Sequence, residues 1–225
     1  MIHRDYILRM IEEFCYVLKA IATLKERQRW QQIEGTIEEQ FQQLVGAGAT
    51  EAVGFSETAL AVRLMQGEAT QFVRIKMAYL IRLFKEAGDA AAARDRPEES
   101  RSLLLKGLHL LLGFLAAAQA EHPDFLPPVD VFTAALQDAP LPAATQAMLM
   151  HHHERAGSFA KAEDALFGLL DVAPATPEVL DLGIAFYERL LSQSNAALDA
   201  GNLPRRELES ALAELRKRKA ALPPG

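Results

Sequence analysis

Near the start of the chain, apolar residues recur at alternating steps of three and four: Ile7, Met10, Phe14, Val17, Ile21 and Leu24. That spacing places them on one face of a helix, and Ile11 and Leu18 widen the face toward a core. Cys15 lies on an apolar stripe and is expected to be buried as a small hydrophobe. Asp5 stands where a carboxylate suits the positive end of a helix. The polar run Lys25 to Arg29 predicts a turn, and Trp30, Ile33, Ile37, Phe41 and Leu44 then line a second helix that ends at Gly46 and Gly48. Two amphipathic helices joined this tightly must fold back on each other as an antiparallel hairpin.

The same pattern continues along the chain. Ser56 predicts an N-cap for a short helix through Met65, closed by Gly67. A long helix follows from Ala69 to Arg94, carrying Phe72, Ile75, Leu80, Leu83 and Phe84, with Gly88 marking a close helix contact. Asp95 to Glu99 predicts a turn with Pro97 opening the next helix. That helix runs to about Gln119 and is apolar nearly all round between Leu103 and Leu115, so it is expected to be the most buried element. Five of the eleven prolines fall between 123 and 142, which rules out one continuous helix there. A short helix over Val129 to Gln137 fits between them. Further helices are expected over Ala143 to Arg155, Phe159 to Asp171, Pro177 to Ala200 and Pro204 to Ala221, with Gly157 and Gly201 at turns.

This pattern predicts an all-α fold of stacked antiparallel helical hairpins. Residues 1–225 read as one helical domain, divisible into subdomains 1–122 and 140–225 joined by the proline-rich segment 123–142. Half of the residues are hydrophobic and 24% are charged, which suits a packed core. The period-two runs of Val, Ile and Thr that mark half-buried strands are missing. A formal charge of −6 argues against a general nucleic-acid binder, because phosphate contacts need a basic surface. The apolar run from Leu103 to Ala118 contains Lys106 and His109 and falls short of the about 20 residues a membrane span needs. With no basic, apolar and small-residue leader pattern at the N-terminus, a cytoplasmic location is expected.

The segment Gly157-Ser158-Phe159, Ala162, Leu166, Leu169-Leu170 and Pro174 resembles the second half of a tetratricopeptide repeat. In that pattern a Gly turn is followed by an aromatic plug, a small residue that lets helices approach, and a terminal Pro that stops the helix. Weaker echoes occur at Gln28 to Ile33, Asp95 to Ser100 and Gly201 to Leu203, with spacings more irregular than the roughly 34 residues of a regular array. The resemblance implies a tetratricopeptide-like right-handed superhelix with irregular insertions. The opening Asp5 to Glu13 also resembles the start of an uncharacterised bacterial family of small helical proteins, which implies no activity.

Under the repeat register, Arg82, Lys85 and Asp89 line the inner face of the long middle helix, and His151, Glu154 and Arg155 that of a later one. A groove bearing Arg82, Lys85 and Arg155 would clamp a peptide carboxylate; the plainer alternative is a solvated face with i, i+4 pairs such as Lys85–Asp89. His151-His152-His153-Glu154 is the most conspicuous cluster. Successive helical residues point about 100° apart, so three adjacent His cannot share one metal. Arg216 to Lys219 complements the negative end of the last helix. Glycine-rich phosphate loops, nucleophile elbows and His-Glu-x-x-His patterns are absent, so no cofactor, metal or catalytic residue is assigned. Stacked hairpins create long inner surfaces, and the expected function is a non-enzymatic protein-interaction or scaffold module for a protein or peptide partner, with homodimerisation through a terminal hairpin. The alternative is a small-molecule or metal-dependent sensor or enzyme with an interhelical pocket near His151. Neither nucleic acid nor membrane is expected as a partner.

Overall fold

The computed structural model describes residues 2–65, 70–117, 122–173 and 176–222, with side chains from Tyr6 onward and, after the first break, from Phe72. Gly67, Ala69, Gln119 and Pro174, and the side chain of Asp5, lie outside the described residues. Among the described residues every regular element is a helix: α1 (Ile2–Glu26), α2 (Trp30–Val45), α3 (Ala49–Val53), α4 (Glu57–Met65), α5 (Thr70–Ala93), α6 (Pro97–Ala116), α7 (Val129–Ala135), α8 (Ala143–Arg155), α9 (Phe159–Val172), α10 (Pro177–Leu191), α11 (Asn195–Ala200) and α12 (Arg205–Ala220). The protein is all-α, with neighbouring helices packed together, and divides into two compact units, Met1–Asp138 and Ala139–Gly225. None of the described helices is long and apolar enough to cross a membrane.

One turn recurs four times. Gln28, Asp95, Gly157 and Asn202 all adopt left-handed φ values, of 54°, 58°, 71° and 56°. In each turn the left-handed residue donates its N–H to the carbonyl three residues back, and the next residue donates to the carbonyl five back, at 2.9–3.1 Å. For Gln28 these acceptors are Lys25 and Leu24; for Gly157 they are Glu154 and His153. This double bond is the Schellman motif, which satisfies the last carbonyls of one helix and reverses the chain into the next. Only at Gly157 does the sequence place the residue that adopts this conformation without a Cβ penalty.

In the first unit, α5 packs on α1, α2, α4 and α6, while α6 also meets α3 and α7. Phe14 stacks on Tyr79 at 3.8 Å, Phe125 meets both rings edge-on, and Phe41 meets Phe84 at 4.9 Å. The Tyr79 hydroxyl, buried with its ring, donates to Gln40 Oε1 at 3.0 Å. Gly88 does mark a close helix contact: a Cβ there would come within 2.5 Å of Leu104. Two expectations change in this unit. α6 is not singular in its burial, because α5 has no exposed residue between Phe72 and Ala91. Two of its carboxylates, Glu86 and Asp89, are held against α1 by ion pairs with Lys25. Cys15 is exposed rather than buried. It follows Phe14, and one helical step of about 100° turns it away from the core stripe.

In the second unit, α8 packs on α9 and α10 on α12. Phe159 is buried and Ala162 is 0% exposed, so the small residue at the helix crossing faces a neighbour. The Ala160 N–H donates to the Gly201 carbonyl at 3.0 Å and ties the α8–α9 turn to the end of α11. The single helix expected over Pro177 to Ala200 breaks after Leu191. Ser194 caps a new helix by accepting the Ala197 N–H at 3.1 Å, and Arg205 donates to the freed carbonyls of Leu191 and Gln193. A capping hydroxyl together with a guanidinium fork makes this interruption inexpensive.

Candidate binding surfaces

Arg82, Lys85 and Asp89 come together on α5, in a cluster with two residues the sequence reading left out. Glu86 is 2% exposed. It forms ion pairs with Arg82, whose Nε lies 2.7 Å away, and with the Lys25 ammonium from the end of α1. Lys25 also reaches Asp89 at 2.6 Å, and Lys85 pairs with the same carboxylate. Burial by itself would lower the Lys25 pKa, yet Glu86 and Asp89 together lift it above its ordinary value. The i, i+4 pairing anticipated for Lys85 and Asp89 is present, within a larger network that crosses helices. A signal for Glu86 existed in the sequence, since it stands three after Leu83 and four before Ala90, on the apolar stripe of α5. Lys25 carried no such signal, because its role depends on where the α1 terminus lands.

The remaining candidates lie on α8 in the second unit. Glu154 accepts a two-pronged contact from Arg189 of α10, at 2.7 and 2.8 Å. His151 stands on the same face, its Nδ1 3.7 Å from Glu154, while His151 and Arg155 are both exposed. The rings of His152 and His153 meet edge-on at 5.1 Å. Among the described residues no group of three His, Cys, Asp or Glu side chains converges to hold a metal. The basic end of α12 is engaged: Arg216 meets Glu188 at 2.7 Å, Arg218 meets Glu214 at 3.1 Å, and Lys219 pairs with Asp181.

A cleft of about 470 Å³ opens in the first unit among α2, α3, α5 and α6. Its apolar floor includes Ile37, Ala87 and Leu103, and its rim carries Glu34, Glu38, Arg94, Arg96 and Glu99. Glu34 holds both Arg94 and Arg96, and Arg96 meets Glu99 at 2.7 Å, so the rim charges are largely matched within the protein. Sequence alone did not reveal this cleft, because it needs the α5–α6 turn to bring its arginines over α2.

No curated protein and no solved structure matches the chain. A family model does, over residues 1–220, and the chain belongs to that family, described as a family of unknown function (DUF6483).

Proposed function

We propose that the chain is a non-enzymatic protein-interaction module, built of tetratricopeptide-like hairpins, that holds an acidic peptide segment of a partner. The observation that carries this reading is the charge count where α1 ends against α5. Three cations, Lys25, Arg82 and Lys85, share two carboxylates, Glu86 and Asp89, leaving an excess of one positive charge. The side chains of Lys25 and Arg82 are 24% and 36% exposed, so a partner carboxylate has access to them. A carboxylate joining an incompletely neutralised guanidinium forms a charge-assisted hydrogen bond, stronger than a neutral one. The recurrence of one helix-reversing turn within each unit supports the tetratricopeptide-like hairpin reading, since such hairpins bury their apolar faces only against neighbouring helices.

Binding of acidic and amidated peptides, followed by fluorescence anisotropy, tests the proposal. Wild type should prefer the acidic set, and Arg82→Gln should weaken that preference about tenfold, the worth of a hydrogen bond to a charged group. Equal affinity of wild type for acidic and amidated peptides would reject the reading, provided circular dichroism shows all variants folded.

A further inference from the structure

Helix α1 carries two apolar stripes, and among the described residues one of them forms core. Ile7, Met10, Phe14, Val17, Ile21 and Leu24 turn toward α2 and α5, with Met10, Phe14 and Ile21 buried. One residue further on at each step stand Leu8, Ile11, Cys15, Leu18 and Ala22, again at alternating steps of three and four. Leu8 is 49% exposed; Cys15 and Ala22 are exposed, and Ile11 and Leu18 are half-buried. Alternating steps of three and four make a seam that suits packing against another helix.

We infer that α1 of one copy packs antiparallel against α1 of a second copy through this second stripe, with Glu12 of each copy paired to Lys19 of the other. Within the span of the stripe, from Leu8 to Ala22, the charges on one edge select this occupant and its direction. Glu12 and Lys19 each stand four residues after a stripe residue, Leu8 and Cys15, so they border the same edge of the seam. They are seven residues apart, about 10 Å along the helix, too far to pair within one α1. When a twin helix is turned end over end, each edge meets the same edge of its partner, and a two-fold axis near Cys15 brings Glu12 opposite Lys19 twice. The side-chain sizes obey the same axis: Leu8, the bulky end of the stripe, meets Ala22, the small end. In a parallel pair this edge would face the opposite edge, where Phe14 and Ile21 are buried in the first unit, and no charge pair forms. The inference concerns a face apart from the Arg82 cluster and does not depend on peptide binding there.

Sedimentation of the 225-residue chain over a dilution series tests it. Wild type should form a reversible dimer, and a short bismaleimide should join two chains through Cys15, the chain's only cysteine. Glu12→Lys or Lys19→Glu alone should raise the dimer dissociation constant about tenfold, because each places like charges opposite each other twice. The combined variant, Glu12→Lys with Lys19→Glu, should restore wild-type dimerisation. Both residues are exposed, so folding survives the changes and circular dichroism checks it. Leu8→Glu should abolish the dimer. A wild-type monomer at every concentration, a dimer indifferent to the single reversals, or failure of the combined variant to recover would each overturn the inference, as would α1 binding only to an unrelated protein.

Discussion

In the first unit a carboxylate 2% exposed, Glu86, sits between Lys25 and Arg82, whereas in the second unit Glu188 meets Arg216 with both side chains about half exposed. A charge removed from water needs its partners, and losing one leaves the others uncompensated in a poor solvent. An exposed pair exchanges protein contacts for water with little net change. Similar residue types at similar distances therefore matter differently, and the difference comes from their surroundings. The same contrast bears on the proposed peptide binding, because a network that is mostly enclosed yet exposes the edge of Arg82 is preorganised, while a loose surface pair would have to be ordered on binding.

Stability measurements can break that contrast. Glu86→Ala should cost about 3 kcal/mol in urea unfolding, while Arg216→Ala should stay within about 0.5 kcal/mol; comparable losses would refute it. Ala162→Leu should cost about 2 kcal/mol, because an enclosed helix crossing has no room for added carbons. The turns offer a smaller, signed effect. Gly157→Ala should destabilise by about 1 kcal/mol, since a Cβ is placed on a left-handed residue, and Gln28→Gly should stabilise by about 0.5 kcal/mol for the reverse reason. A stabilising Gly157→Ala would contradict the turn geometry.

The pH response should differ in sign between the units. Burial holds the His109 pKa below its ordinary 6.5, against the pull of Glu57, so the unfolded chain takes up the proton first. Its contribution to stability is present above pH 6.5 and is lost as the pH falls through that value toward the folded pKa. Burial raises the Glu163 pKa above 4.5, although its hydrogen bond from Tyr187 opposes this. That carboxyl favours folding as the pH falls through its folded pKa toward 4.5, and the gain is lost again as the pH rises. Amide exchange resolved by residue should show His109→Gln flattening the acid loss near α6, and Glu163→Gln flattening the acid gain near α9.

Much of the fold was legible before any coordinates. The alternating steps of α1, the Ser56 cap and the boundaries of α8 followed from periodicity and capping chemistry, which act within a few residues. The Ser194 break was missed because Asn195 to Ala200 continues a helical pattern, and the guanidinium that steadies the interruption comes from Arg205, ten residues beyond Asn195. α3 was missed because five residues carry too little periodicity. Of the candidate site, Arg82, Lys85 and Asp89 were named from the sequence, while their partners Glu86 and Lys25 were not. Cys15 was misplaced by a single helical step.

Local chemistry in the sequence thus determined that the chain is helical, roughly where each helix starts and reverses, and which residues carry the apolar stripes. Tertiary structure alone decided that Leu8 and Cys15 on α1 would stay outside the core, that Glu86 on α5 would be buried, and that the end of α1 would deliver Lys25 to it. The physical reason is range: caps, turns and helical spacing depend on neighbours in the chain, whereas burial and ion pairing depend on which distant surface arrives.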